Sequence, residues 1–147
     1  MPEARGFTVR ALGEIAIRCR DHGAMVSFYR DIVGLEILRV NEDRGIVFFR
    51  VAEGFAGHTA VLALFRDDNG GGPIETGARS SLHHIALSLP CAEQENAMRW
   101  YERNGVPFTV EIFAWAGWRG VFTRDPDGNT VELVAFDASL LEASATE

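Results

Sequence analysis

Glu14 and His84 occupy matching places in two copies of one short pattern, Leu12-Gly13-Glu14-Ile15-Ala16-Ile17 and Leu82-His83-His84-Ile85-Ala86-Leu87. Carboxylate and imidazole both bind divalent metal ions. A third candidate, Glu132, lies in the apolar run Val131-Glu132-Leu133-Val134, where a carboxylate is costly unless something pairs with it. Each residue also has a plainer role open to it. His84 taken alone fits a satisfied structural histidine, Glu14 can pair with Arg18 on the same strand face, and Glu132 can end an edge strand. His83 faces away from His84 by alternation and reads as structural.

The matched pair belongs to a longer echo. An aromatic pair follows each copy, Phe28-Tyr29 and then Trp100-Tyr101, and after it a glycine, Gly34 and then Gly105. Glu14 to His84, Phe28 to Trp100 and Gly34 to Gly105 are separations of 70, 72 and 71 residues, so three landmarks keep nearly one spacing. Two similar folding units are the simplest plan. Residues 12–20 alternate as a strand, Asp21 is placed to cap a helix with Met25, Phe28, Tyr29 and Ile32 at helical spacing, and Gly34 ends it. Residues 36–40, 45–51 and 58–65 then read as three strands, giving β-α-β-β-β. The glycine-rich residues 67–73 form a connector, with no Lys-Ser/Thr behind them to make a phosphate loop. The second unit repeats the order, with a strand at 82–89, a helix at about 93–104 and strands at 109–114, 118–124 and 130–136. The turn Asp125-Pro126-Asp127-Gly128 closes its last hairpin.

Composition narrows the function. A net charge of −7 without a basic cluster argues against nucleic acid as a partner, which needs concentrated Lys and Arg. All 14 basic residues are arginine, so Schiff-base chemistry through lysine is excluded. The two cysteines, Cys19 and Cys91, have no CxxC partner and read as small buried or half-buried side chains in a reducing compartment. No apolar run approaches the ~20 residues that span a bilayer, and the first ten residues carry charges where a signal peptide is apolar. A cytoplasmic protein without a membrane partner is expected.

Phe28-Tyr29-Arg30-Asp31 followed by Gly34-Leu35, His83-His84-Ile85-Ala86-Leu87, and Arg124-Asp125-Pro126-Asp127-Gly128-Asn129-Thr130-Val131-Glu132-Leu133 together resemble the vicinal oxygen chelate superfamily. That group holds glyoxalase I, the fosfomycin and bleomycin resistance proteins, methylmalonyl-CoA epimerase and the extradiol dioxygenases. The resemblance covers about residues 10–137 as one domain: module one at about 10–66, a linker at about 67–80, module two at about 81–137, and a tail at 138–147. It implies an α+β fold in which two βαβββ modules pair into a curled mixed sheet around a central cavity. Ligands project inward from the first and last strand of each module, so Glu14, His84 and Glu132 are expected at three of four metal positions. The fourth falls near Val61 when HTAVLALF is aligned on NTVELVAF, and valine binds no metal.

Under this resemblance the expected cofactor is a divalent ion, Mn, Fe, Ni or Zn, held by Glu14, His84 and Glu132. Glu14 or Glu132 moves a proton, as in the lyases and isomerases of the group. Substrate contacts are expected from His58, Trp115, Trp118, Arg119 and Phe122, although His58, three residues from Val61, falls on the other strand face unless a bulge intervenes. The aromatic residues also fit a core or a dimer contact. The partner is a small oxygenated molecule, and a homodimer is expected, some relatives exchanging modules between chains. A metal-independent binding protein of the bleomycin-resistance type is the alternative. Ring cleavage is disfavoured, because that chemistry needs histidine at Glu14 and typically tyrosine at Phe122, with another histidine where the hairpin has only Trp115 and Trp118.

Overall fold

A computed structural model describes residues 3–67 and 74–142. Module one runs β1 (Glu14–Cys19), α1 (His22–Ser27), β2 (Glu36–Asn41), β3 (Ile46–Phe55) and β4 (His58–Arg66). Module two runs β5 (His84–Ser88), α2 (Gln94–Arg103), β6 (Thr109–Phe113), β7 (Trp118–Arg124) and β8 (Thr130–Phe136). Each module makes one four-stranded mixed sheet, ordered β1-β4-β3-β2 and β5-β8-β7-β6, with the first and last strands parallel. The α+β duplication expected from the repeat is therefore present down to strand order. The glycines 70–72 of the connector lie outside the described residues, and among those described no helix is long and apolar enough to cross a membrane.

Local chemistry explains the elements. Asp21 caps α1 by accepting from the Ala24 N–H at 3.1 Å. The helix then widens to a π-turn over Phe28–Ile32 and stops at Gly34, whose φ of 85° is left-handed and suits glycine. β3 and β4 extend further than turn residues Glu53-Gly54 suggest, because bulges near Ala52 absorb the irregularity without ending the pairing.

Alternation turns Ile15, Ile17 and Cys19 inward, where they pack with Met25, Phe28, Tyr29, Phe49, Leu62 and Leu64. Ile85 and Val131 of module two join the same cluster, so the core crosses between modules. Burial pushes the Cys19 thiol up to about 12, which keeps it an inert core group. Cys91, expected to be at least half-buried, is exposed, because it opens a 3-10 turn at the surface before α2.

Polar bonds fix the two modules to each other. The Tyr29 hydroxyl donates to Asp125 Oδ2 at 2.8 Å. Asp125 also accepts from the backbone N–H groups of Asp127 and Asn129 and from Asn129 Nδ2, at 2.9–3.0 Å. Asp127 reaches back to module one and accepts from the backbone N–H groups of Arg20 and Asp21. On the other side, Trp100 Nε1 donates to the Ile32 carbonyl at 3.0 Å.

Tyr101 provides an internal control, because its hydroxyl is buried and has no hydrogen-bond partner among the described residues. Removing the Tyr29 hydroxyl leaves a buried carboxyl short of a donor, a loss of about 2 kcal/mol. Urea unfolding should show Tyr29→Phe destabilised by about that amount and Tyr101→Phe unchanged or slightly stabilised. Equal losses in both variants would contradict a seam held by the Tyr29–Asp125 bond.

Candidate metal and substrate site

The helix-covered face of each sheet is the core, so the opposite face is where chemistry can occur. In module one that face presents Glu14, Ala16 and Arg18 of β1 beside Val61 and Ala63 of β4. In module two it presents His84 and Ala86 of β5, Thr130, Glu132 and Val134 of β8, and Trp118, Gly120 and Phe122 of β7.

Module two brings two of the expected residues together. His84 Nε2 lies 3.3 Å from Glu132 Oε1. Glu132 is 5% exposed, so its carboxylate has exchanged most of its water for this one imidazole. Desolvation raises its pKa from the usual carboxylate value; His84 opposes the rise, and the Glu111 carboxylate on β6 adds to it. The Phe122 ring stands edge-on to the His84 ring, with centroids 6.2 Å apart, and meets Phe113 on its other side. A groove of about 510 Å³ opens alongside, lined by His83, Thr109, Glu111, Phe122, Arg124 and Thr130.

Glu14 does not join this pair within one chain. Among the described residues no three His, Cys, Asp or Glu side chains converge as a metal would require. Glu14 is exposed, and among the described residues it forms no salt bridge, with Arg18 or any other side chain. The register refines the comparison of the modules. Ala16 meets Ala63, which meets Phe48, just as Ala86 meets Glu132, which meets Phe122, so the modules share one register and the position matching Glu132 is Ala63, two residues beyond the Val61 expected from the aligned strands. Val61 and Ala63 share Glu14's face, and neither offers a donor.

Two expected substrate contacts lie elsewhere. Arg119 is on the helix side of β7, where its Nε donates to Gln94 Oε1 at 2.8 Å and its terminal nitrogen lies 3.5 Å from Glu95. Alternation along β7 puts it opposite to Phe122. The His58 ring occupies the space above Gly13, with Nδ1 and Cε1 3.2 Å from where a Cβ would stand. Within β4, His58 is three residues from Val61, the partner of Glu14, so alternation along that strand puts it on the face opposite Glu14. Trp118 is on the His84 face, and Trp115 sits in the β6–β7 turn, 67% exposed, with its ring 5.2 Å from Trp118. They form the far end of the wall that begins at Phe122.

His83 does not face away from its neighbour as alternation predicts. Its Nδ1 is 2.9 Å from His84 Nδ1, so one ring donates to the other and each constrains its neighbour's tautomer. β5 begins at His84, so strand alternation does not extend to His83. The adjacent pair of histidines was the signal available in the chain.

The chain is thus a duplicated βαβββ scaffold with a histidine and a buried carboxylate on the open face of one module. Residues 11–133 match the family model of the Glyoxalase/Bleomycin resistance protein/Dioxygenase superfamily, and the chain belongs to that family. Among solved structures it resembles a lactoylglutathione lyase from Agrobacterium tumefaciens, with 25% identity, a TM-score of 0.62, and 87% of this chain and 95% of that one covered. A glyoxalase/dioxygenase from Nostoc punctiforme shares 22% identity at a TM-score of 0.67, covering 93% and 97% of the two chains. A mutant fosfomycin resistance protein from Listeria monocytogenes, complexed with Mn(II) and dihydroxypropylphosphonic acid, shares 17% identity at a TM-score of 0.61 over 90% and 95%. No curated protein matches the chain.

The raised Glu132 pKa gives a signed prediction for the metal-free protein. Between the ordinary glutamate value and its raised one, the folded chain keeps a proton that the unfolded chain has released. Glu132's contribution to stability is therefore complete at acid pH and is lost as pH rises through the raised value. Glu132→Gln should remove that decline when melting is followed from about pH 3.5 to about pH 7, and an identical profile in both proteins would refute it.

Proposed function

We propose that this protein is a divalent-metal-dependent enzyme of the glyoxalase type, a lyase or isomerase acting on a small oxygenated molecule. The observation that carries the reading is the His84–Glu132 pair at 3.3 Å, a hard N/O donor set in which a buried carboxylate has one imidazole for a partner. Such donors fit Mn²⁺, Fe²⁺, Ni²⁺ or Zn²⁺. Glu14 is the third ligand, supplied by a second copy of the chain. Its exposure and its lack of an ion-pair partner among the described residues are what that arrangement requires, since a side chain already satisfied within its own chain would not be free to reach another site. The homodimer thus forms two sites, each drawing on module one of one copy and module two of the other.

When bound, the ion would act as a Lewis acid toward two neighbouring substrate oxygens. The chain's own contributions are separate. Glu132, with its pKa raised, or Glu14 exchanges a proton with the substrate. Phe122 and Phe113 exclude water on one side, and the groove beside them takes the remainder of the molecule. A metal-independent binding protein is the second reading, favoured by the absence of a donor at both Val61 and Ala63. Ring cleavage is not supported, since Phe122 has no hydroxyl where that chemistry uses one.

Metal content of protein purified without chelators separates the readings. His84→Ala and Glu132→Ala should each lose bound divalent metal and the thermal shift it produces, and unchanged metal content in both would remove the enzyme reading. Glu14→Ala should lose it too. Mixing and re-equilibrating Glu14→Ala with Glu132→Ala should then restore one intact site per heterodimer, whereas no recovery would show that sites are not shared between copies. Oxygen uptake with a catechol and added Fe²⁺ is expected to be nil.

A further inference from the structure

We infer that Gly120 is the positioning residue of this site, its missing side chain being the seat of the Glu132 carboxylate. The inference rests on the metal-site reading for its functional consequence, and on geometry alone for the seat. Gly120 is buried in the middle of β7, paired with Glu111 of β6 and Val134 of β8. Its backbone does not adopt the left-handed conformation that calls for glycine, unlike that of Gly117 or Gly128 near the ends of the same strand. A mid-strand glycine weakens a sheet unless something approaches its backbone closely. Here something does. A Cβ built on Gly120 would overlap Glu132 Oε2 and would lie 3.0 Å from Glu132 Cδ and 2.7 Å from Phe122 Cε2.

The register explains the approach. Glu132 pairs with Phe122, so its own cross-strand neighbour is a large ring, and its carboxylate reaches the diagonal position two residues along β7, which is Gly120. One oxygen, Oε2, lies over Gly120, and the other, Oε1, faces His84 Nε2 at 3.3 Å. The Phe122 ring leans into the same space and onto His84. Any side chain at 120 would turn the carboxylate away from His84 or push the ring across it. Gly120 touches neither metal nor substrate, and it acts only through these two neighbours.

The test is a double-mutant cycle on the full chain, using Gly120→Ala, Glu132→Ala and the pair, read by thermal melting and by Mn²⁺ titration calorimetry. Gly120→Ala should lower Mn²⁺ affinity by about tenfold or more, the usual cost of disturbing a ligand's support. It should lower Tm more in the wild-type background than in Glu132→Ala, where the carboxylate no longer needs the space. Equal Tm losses in both backgrounds would overturn the seat, as would unchanged Mn²⁺ affinity in a protein whose wild type binds the ion. If the wild type binds none of Mn²⁺, Fe²⁺, Ni²⁺ and Zn²⁺, the metal reading fails while the melting cycle still decides the seat; if it binds one of the other three, the affinity arm is run with that ion. Should Gly120→Ala not fold, recovery of a melting transition on adding Glu132→Ala supports the seat, and no recovery overturns it.

Discussion

The buried carboxyl of Asp125 is the point on which the two halves of the molecule are hung. It gathers the Tyr29 hydroxyl from the π-turn of module one and three donors from its own turn, so that a group expensive to bury is surrounded by hydrogen bonds. Desolvation raises its pKa, the donors from Asn129 and Tyr29 lower it, and the nearby Asp127 adds to the rise, so burial and hydrogen bonding act against each other on one group. The Tyr29 hydroxyl, buried against that carboxyl, is held strongly in its protonated, donating form.

The consequence reaches the open face. Asp125 to Asn129 form the turn between β7 and β8, and the backbone bond from the Asp125 N–H to the Asn129 carbonyl starts their pairing. Once the turn is fixed, Arg124 meets Thr130 and Phe122 meets Glu132, which brings the carboxylate within reach of the diagonal position over Gly120 that it occupies. The DPDGN turn therefore does two jobs with one set of atoms: its buried side anchors module one, and its register places an acid on the other side of the sheet.

Much of this was legible in the chain because the signals are periodic or local. The repeat, the cap at Asp21, the glycine that ends α1, the closing turn and the inward face of β1 all follow from spacing and backbone preference. Glu132 was legible because an acid in an apolar run must find a partner. Parity also held the answer for Arg119 and His58. An odd offset from Phe122 places Arg119 on the helix side, and the offset of three from Val61 places His58 across the sheet. What could not be read locally was distance between non-neighbours: that His84 and Glu132 meet, that His83 turns its ring back onto His84 just before the strand begins, and that Glu132 leans toward Gly120 and Glu111. That Ala63 and not Val61 matches Glu132 is likewise invisible, since both positions satisfy the same alternation.

The contrast between Ala63 and Glu132 at one register position shows what duplication has allowed. Both modules keep one strand order and one core face, because burial and pairing constrain them equally. The open faces are under no such constraint, and there the copies have parted. Module two has taken on the desolvation of Glu132, offset by His84 within the same sheet, so this pair is in place before anything binds. Module one keeps Glu14 exposed to water, where a carboxylate without a partner among the described residues costs little. If the two halves meet across copies, as proposed, each chain folds without needing the complete site, and the cost of burying Glu14 falls on assembly and metal binding, where the ion's charge is present to offset it.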